Sequence, residues 1–350
     1  MPTTLKDVAV RAGVSAKTVS NVVHGQMARV SPGTAERVRA ALTDLNYRPN
    51  VAARALRQGR VRVLAMVVPD LTNPYFTSLC TEVISAAAEH GYTVLIDHTA
   101  GDWAQESLAL NGLRPHLVDG VILSPVSLQA ADLELRSADL PFVLLGERLY
   151  DVPCDHVAID NVAAARQATE HLLTLGRRRI AAIGGPAGPS DDVLLLRLRG
   201  YQEALNEAGL PPDPELVVPM DVPDGGPMRA AGAIAMERLL LLDRLPDAVF
   251  CFNDLLALGA MTTLLLNRVR IPDDIALMGF DNTEEGRFAV PSLSTVAPDK
   301  REIARSAVAL LLQRIDARAG SPRFVQPSFR LVVRASTAGE DASQAITATR

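Results

Sequence analysis

Cysteine is scarce in this sequence, and its few cysteines are not arranged for covalent or metal chemistry. Cys80, Cys154 and Cys251 are the three cysteines among 350 residues, and no two have CxxC spacing. An odd number of separated cysteines indicates free thiols, as in a reducing cytoplasm. The six histidines also lack metal-ligand spacing. We therefore expect no disulfide, no metal site and no cofactor.

Targeting signals and long apolar runs are lacking too. No positively charged leader with an apolar core opens the chain, and no apolar run is long enough to span a bilayer. A soluble, cytoplasmic protein is expected. The last dozen residues, GEDASQAITATR (339–350), are typical of a disordered tail.

Catalytic signatures are weak. The stretch GGPAG (184–188) follows an apolar run like a phosphate-binding loop, but it has no lysine and hydroxyl to hold a nucleotide and its metal. No serine lies in a nucleophile-elbow setting. A sugar- or nucleotide-acting enzyme on an α/β scaffold remains the alternative function.

Charge is distributed unevenly along the chain. Residues 1–60 contain ten lysines or arginines and three acids, which gives a charge of +7. The remaining residues carry −12, so that the total is −5. A basic head on an acidic body indicates a polyanionic partner for the head alone.

The stretch TLKDVAVRAGVSAKTVSNVVHG (4–25) predicts two short helices joined by a tight turn. Thr4 and Asp7 have capping-box spacing, Gly13 is placed to end the first helix, and Ser15 is placed to cap the second. Ser31 and Pro32 open a third helix whose apolar face can close a small core. This arrangement predicts a helix-turn-helix.

The second of these helices has a polar face opposite its valine stripe. That face carries Ala16, Lys17, Ser20 and Asn21, and the lysine and amide can reach base edges in a major groove. A small helical hairpin with a solvated polar face is the alternative interpretation.

From Val61 the pattern alternates between strands and helices. Apolar runs at 61–69, 92–97, 119–124 and 141–146 predict one parallel sheet. A second series is predicted at 156–160, 178–184, 215–219, 248–252 and 275–280. Two such sheets make two lobes, and ligands of parallel sheets bind beyond the carboxyl ends of the strands. A ligand cleft between the lobes is therefore expected.

Several polar residues follow these strands. Asn73 and Tyr75 follow the first strand, although ordinary turn chemistry around Asn73 and Pro74 explains them equally well. Arg148 follows another strand, where a structural salt bridge is an equal alternative. Asn253 and Asp281 follow two later strands, and each has a helix cap or turn as its structural alternative.

The segments YRPN (47–50), ARAL (53–56) and LVVRAS (331–336), together with the helix-turn-helix, resemble the lactose-repressor (LacI/GalR) family of bacterial transcription regulators. The resemblance covers nearly the whole chain. It implies an N-terminal all-α helix-turn-helix domain followed by an α/β periplasmic-binding-protein-like (type I) two-lobe domain. It also implies a repressor that binds palindromic operator DNA as a homodimer and responds to a small effector, with a sugar or sugar derivative expected.

The resemblance further implies where the domains lie. We expect a helix-turn-helix domain at 1–48, a hinge helix at 49–60 and an effector-binding domain at 61–338. Its first lobe would comprise 61–160 and 293–322, and its second lobe 161–292 and 323–338, with crossings near 160, 292 and 323. The tail at 339–350 has no leucine heptad, so the tetramer-forming helix of some relatives is not expected.

Residue roles follow from matching positions. Leu56 matches the hinge leucine that wedges into the minor groove. The full set expected at DNA is Thr4, Leu5, Lys6, Ser15, Ala16, Lys17, Thr18, Ser20, Asn21, His24, Arg29, Ser31, Asn50, Ala53 and Leu56. Arg197 matches the effector-binding arginine, Asn253 a ligand contact and Asp281 the effector-binding acid. The set expected at the effector is Asn73, Tyr75, Arg148, Arg197, Asn253 and Asp281.

Two departures from the family pattern limit these expectations. Ala16 stands where relatives often have a bulky side chain, so base preference cannot be transferred from a relative. The loop PMDVPDGGP (219–227) has no aromatic residue, although this region often supplies an aromatic wall to the effector. The sequence therefore identifies neither the operator nor the sugar.

Overall fold

The computed structural model describes residues 3–23, 29–47, 60–111, 117–134, 140–146, 153–185, 192–220, 227–316 and 320–339. The chain divides into two compact units, Met1–Val61 and Arg62–Arg350. Among the described residues, no helix is long and apolar enough to cross a membrane.

The first unit contains three helices, α1 (Leu5–Ala12), α2 (Ala16–Val23) and α3 (Pro32–Asp44). Thr4 closes the predicted capping box: its hydroxyl accepts from the Asp7 amide at 3.4 Å, and its own amide donates to the Asp7 carboxylate at 2.8 Å. Gly13 ends α1 in the left-handed conformation, with φ of 64°. A side chain is unfavourable in that conformation, which explains the glycine.

The other two caps also lie where the sequence predicted them. The Ser15 hydroxyl accepts from the Thr18 amide at 3.1 Å, and the Ser31 hydroxyl accepts from the Thr34 amide at 3.4 Å. The three helices share a core in which Val8, Val19 and Val38 are fully buried. Removing such a buried side chain costs about 2 kcal/mol, so these valines hold the three helices together.

The second unit begins with a parallel six-stranded sheet in the order β11-β5-β4-β3-β1-β2. Its strands are β1 (Val63–Val68), β2 (Thr93–His98), β3 (Gly120–Leu123), β4 (Phe142–Leu145), β5 (His156–Val157) and β11 (Phe324–Val325). The helices of this first lobe are α4 (Pro74–Glu89), α5 (Trp103–Asn111), α6 (Ala130–Glu134) and α12 (Lys300–Ile315).

The second lobe is built on a sheet in the order β12-β10-β9-β8-β6-β7, in which β12 alone runs antiparallel to its neighbour. Its strands are β6 (Ile180–Gly185), β7 (Val217–Pro219), β8 (Ala248–Cys251), β9 (Ala276–Phe280), β10 (Ser294–Pro298) and β12 (Phe329–Val332). Its helices are α7 (Asn161–Thr174), α8 (Asp192–Glu207), α9 (Met228–Leu240), α10 (Asp254–Leu266), α11 (Glu284–Phe288) and α13 (Ala335–Ala338).

Glycines let the second lobe's helices pack closely. A Cβ at Gly259 of α10 would lie 1.9 Å from the Arg229 carbonyl oxygen of α9. A Cβ at Gly200 of α8 would lie 2.2 Å from the Val162 carbonyl oxygen of α7. Both neighbours are backbone, which cannot move aside as a flexible side chain can, so these helix pairs require glycine.

Three predicted details of the lobes are wrong. The strand pattern put the run at 156–160 in the second series, but β5 pairs with β4 in the first sheet, in agreement with the first-lobe bounds of 61–160. The crossing expected near 292 lies at residue 299, because β10 completes the second sheet through Ser294 beside Met278. The crossing expected near 323 lies at 326–328, because Phe324 still pairs with His156. The positions of the crossings thus depend on which strands pair with each other. An apolar run in the sequence does not show which strand it will pair with.

Candidate functional site

The outward face of α2 is the candidate nucleic-acid surface of the first unit. Ala16 and Lys17 are exposed, and Thr18, Ser20 and Asn21 are partly exposed, while the opposite side of the helix enters the core. One helix therefore joins a polar outer face to an apolar inner face. Such a helix can present hydrogen-bonding side chains to base edges without losing its packing.

The remaining predicted DNA residues of this unit have mixed surroundings. Lys6 and Arg29 are exposed, whereas Leu5 is partly buried and packs against the three-helix core. Thr4, Ser15 and Ser31 are exposed, but their hydroxyls also cap the three helices. Four predicted DNA residues lie outside the described parts of the chain, namely His24, Asn50, Ala53 and Leu56. The same holds for Arg148 of the predicted effector set.

A cavity of about 220 Å³ lies between the two lobes of the second unit. The structure brings five of the six predicted effector residues to its walls: Asn73, Tyr75, Arg197, Asn253 and Asp281. Tyr75 and Asn73 come from the first lobe, and the other three come from the second. A ligand in this cavity would therefore contact both lobes at once.

Arg197 is the most constrained polar side chain at the cavity. Its Nε donates to Asn161 Oδ1 at 2.7 Å, and its Nη1 donates to the Phe252 carbonyl oxygen. Its guanidinium also lies 3.6 Å from the centre of the Phe280 ring, in cation–π contact. These contacts hold the arginine at one place in the wall, so the ligand does not have to order it.

Asn253 performs the capping role that was its structural alternative, and Asn73 caps a helix within the turn that was predicted around it. Asn253 Oδ1 accepts from the Leu256 amide at 2.8 Å and so caps α10. Its Nδ2 donates to the Met228 sulfur at 2.8 Å, within the cavity wall. Asn73 Oδ1 accepts from the Tyr75 amide at 3.0 Å and caps α4. In both asparagines the cap occupies one lone pair of the oxygen, and the amide group keeps at least one N–H that can donate to a ligand.

Asp281 follows β9 in an unusual backbone conformation. Its φ is 112°, and the next residue, Asn282, has a φ of 52°. Residues other than glycine rarely adopt a positive φ. Backbone strain of this kind is typical of functional sites. The Asp281 amide donates to the Val296 carbonyl oxygen at 2.9 Å. The carboxylate is buried at the cavity, where it supplies an acceptor opposite the amide and guanidinium donors.

Asp254 lies behind this wall, next in the chain to Asn253. It is fully buried, and its carboxylate accepts from the Thr283 amide at 2.7 Å and from the Thr295 hydroxyl at 2.7 Å. Burial raises the pKa of Asp254 to about 6, although these hydrogen bonds and the charge of Lys300 lower it. Asp254 thereby ties the loop after Asp281 to β10.

Two further cavity residues were missed. Asn161 is 1% exposed, accepts from Arg197 and begins α7, a short connection after β5 of the first lobe. Its position after an apolar run was a detectable signal, the same one that marked Asn73. Met228 carried no comparable signal, because a methionine at the start of a helix usually indicates core packing. In the described ranges, no three histidine, cysteine, aspartate or glutamate residues are grouped as a metal would require.

Comparison with known proteins gives matches along nearly the whole chain. The profile described as "Bacterial regulatory proteins, lacI family" matches residues 4–50, and "Periplasmic binding protein-like domain" matches residues 169–337. The chain is 33% identical over 336 residues to the HTH-type transcriptional repressor CytR of Escherichia coli (strain K12), covering 95% of this chain and 96% of that protein.

Solved structures give the same result. A LacI-family transcriptional regulator from Sanguibacter keddieii DSM 10542 is 46% identical, with a TM-score of 0.72 over 79% of this chain and 99% of that chain. The CelR–cellobiose complex is 33% identical, with a TM-score of 0.69 over 95% and 99%. The Lac repressor dimer bound to operator and the anti-inducer ONPF is 28% identical, with a TM-score of 0.81 over 96% and 99%. The predicted fold class is confirmed.

Proposed function

Since this chain belongs to the lacI family of bacterial regulatory proteins, we propose that it is a transcription repressor controlled by a small ligand bound between its lobes. The predicted family is thereby confirmed. One observation carries the proposal: a single chain combines a helix-turn-helix with a cavity whose walls supply Arg197, Asn253 and Asp281.

The first unit is the operator-reading part of this proposal. Lys17 and Asn21 lie on the outward face of α2, so they read base edges, while exposed Arg29 contacts phosphate. A single helix-turn-helix reads only a short half-site, and a two-fold dimer doubles the contacts across a palindrome. We therefore propose a homodimer, the state in which the similar Lac repressor was solved on its operator. Its place of action is the cytoplasm, where the DNA is.

Control by ligand requires that the two lobe arrangements bind the ligand unequally. The cavity satisfies this condition, because its polar groups belong to different lobes and change their separation when the lobes rotate. The chain crosses between the lobes three times, so a rotation at the cavity involves all three connections. A shift in DNA affinity then equals the difference between the ligand's affinities for the two arrangements.

The chemistry of the wall favours a polyhydroxylated ligand. Arg197 and two asparagine amides donate hydrogen bonds, and Asp281 accepts them, as adjacent sugar hydroxyls require. The volume of about 220 Å³ is below the roughly 300 Å³ at which pockets for drug-sized compounds begin, so the ligand is small. We propose a sugar or sugar derivative, the ligand class of the similar CelR–cellobiose complex. No enzymatic turnover is part of this proposal.

Two experiments test the proposed function. Selection of binding sites from random DNA should return a palindrome, and affinity for it should fall steeply with salt, as phosphate contacts require. Selection of unrelated sequences would refute operator recognition. Thermal-shift screening against pentoses, hexoses, disaccharides and nucleosides should identify a stabilising ligand, because binding raises apparent stability by mass action. Turnover of that ligand would instead favour the alternative function, a sugar- or nucleotide-acting enzyme.

A further inference from the structure

We infer that Lys300 is a positioning residue that links the two lobes behind the effector cavity and holds Asp281 in its ligand-binding conformation. The inference rests on the proposed function and extends it to a residue beside one of the crossings between the lobes. Lys300 is the first residue of α12, a helix of the first lobe that packs against α4. Its ammonium nevertheless donates to the second lobe, to the carbonyl oxygens of Asp281 at 2.6 Å and Asn282 at 3.4 Å.

The two carbonyls that Lys300 contacts belong to the strained part of the wall. Asp281 and Asn282 both have positive φ, so this backbone persists only if its surroundings hold it. The second lobe holds it through the amides: Asp281 donates to Val296, and Asn282 donates to the Thr295 hydroxyl at 3.2 Å. Lys300 holds the opposite edge of the same peptides. Without it, the carbonyl side would lose its contact with the first lobe.

The same ammonium also contacts the first-lobe side of the cavity. Its nitrogen lies 5.4 Å from the centre of the Tyr75 ring, and Tyr75 lines the cavity from α4. One charged group therefore touches a wall residue of each lobe. A lobe movement that separates α12 from the loop after β9 would break the contacts of Lys300 with the Asp281 and Asn282 carbonyls, so Lys300 and a ligand that bridges the lobes favour the same arrangement.

The position of Lys300 in its helix supports a role beyond helix formation. The amino end of a helix carries positive potential, so a cation in the first turn is unfavourable there and an acid is preferred. The first turn of α12 contains Lys300, Arg301 and Glu302. Arg301 is exposed and lies 3.4 Å from Glu82, where solvent screens its charge. Lys300 is half-buried, and its positive charge is stabilised by the carbonyl oxygens of Asp281 and Asn282 in the second lobe.

The test compares the full-length wild type with Lys300→Met, Lys300→Arg and Arg301→Met. Methionine keeps the length of the side chain and removes the charge, arginine keeps the donors, and Arg301→Met removes a neighbouring charge that does not reach the second lobe. Amide hydrogen exchange at residues 281–283 is measured without ligand. Calorimetric titrations use four probes, D-ribose, D-glucose, cellobiose and cytidine.

Lys300→Met should raise amide exchange at 281–283 by about tenfold, and it should weaken the best-bound probe by about ten- to a hundredfold, as expected for a lost charge-assisted hydrogen bond. Lys300→Arg should stay within about threefold of the wild type in both measurements, and Arg301→Met should change neither. Unchanged exchange in Lys300→Met would overturn the inference. So would a lower melting temperature with unchanged probe affinity, because that result describes a purely structural lysine.

The failure of the proposed function is distinguishable from the failure of this inference. If none of the four probes binds the wild type, the proposed ligand class is wrong. Exchange at 281–283 then decides on Lys300 by itself, because that measurement needs neither ligand nor operator.

Discussion

Replacing Arg197 with methionine should weaken both the fold and the proposed ligand site, and the two effects are separable. Methionine keeps most of the apolar stem but removes the donors to Asn161 and to the Phe252 carbonyl, both of which are buried. A hydrogen bond to a charged group contributes about 1.5 to 3 kcal/mol, and the contact with the Phe280 ring contributes about 0.5 to 2 kcal/mol. Because these terms overlap, we expect the free energy of unfolding to fall by about 2 to 4 kcal/mol.

Urea denaturation of the two proteins measures that loss, and Arg199→Met is the matched control. Arg199 lies on the same helix, but it is exposed and pairs only with Glu203 at 2.7 Å among the contacts described, so its loss should change stability by less than about 0.5 kcal/mol. Equal stability of the two variants would contradict the hydrogen bonds assigned to Arg197.

Ligand affinity is measured on the same variants under conditions where all are folded. Arg197→Met should bind the ligand about ten- to a hundredfold more weakly and keep its affinity for operator in the absence of ligand. Arg199→Met should bind ligand normally. Full ligand affinity in Arg197→Met would refute the role of this arginine at the cavity.

Three further predictions concern other parts of the chain. Lys17→Ala and Asn21→Ala should each relax preference at one base pair by about 1 to 3 kcal/mol, whereas Arg29→Ala should weaken all sequences alike and reduce the salt slope by about 1; a binding matrix of operator variants checks this. The folded pKa of Asp254, about 6, lies above its ordinary value of 3.8, so the folded state takes the proton first as pH falls. The stability of wild type relative to Asp254→Asn should therefore rise by about 1 to 2 kcal/mol from pH 7.5 to 5 in urea titrations, and a fall would contradict it. Gly259→Ala should lower the free energy of unfolding by about 3 kcal/mol or more, since the new Cβ meets backbone at 1.9 Å; a neutral effect would show that the helices separate easily.

Much of the fold could be predicted because its signals are local. The caps at Thr4, Ser15 and Ser31 each depend on residues within three positions, and all three hydrogen bonds form. Nine of the twelve strands in the described residues lie within the apolar runs or extend one residue beyond them for the same reason, whereas β10, β11 and β12 were not predicted. Sheet membership is different, because it depends on pairing: β5 lies between β4 and the distant β11, and β10 lies between β9 and β12. An apolar run specifies burial, but it does not specify which strand lies beside it.

The residues of the candidate site also differ in whether a local sequence signal could predict them. Asn73, Asn253 and Asp281 follow strands, so the topology of parallel sheets already directs each to the carboxyl edge of its own sheet, and these edges face the cleft. Arg197 lies within α8, where only the family resemblance distinguished it from Arg199. Lys300 left no signal, because its partners are backbone carbonyls that any sequence would provide.

The interleaving of the two lobes also sets the order in which they can be completed during synthesis. The first sheet is made by residue 157 except for β11, but α12, which packs against β3 and β4, is made only at residues 300–315. The intervening second lobe takes on the order of ten seconds to translate at about 5 to 20 residues per second. Throughout that interval α4 covers β1 and β2 on this face of the first sheet, but β3 and β4 lack the helix that packs against them. Leu311 of α12 and Gly120 of β3 come together only afterwards, so this apolar face is where the nascent chain is most open to aggregation or to capture by a chaperone.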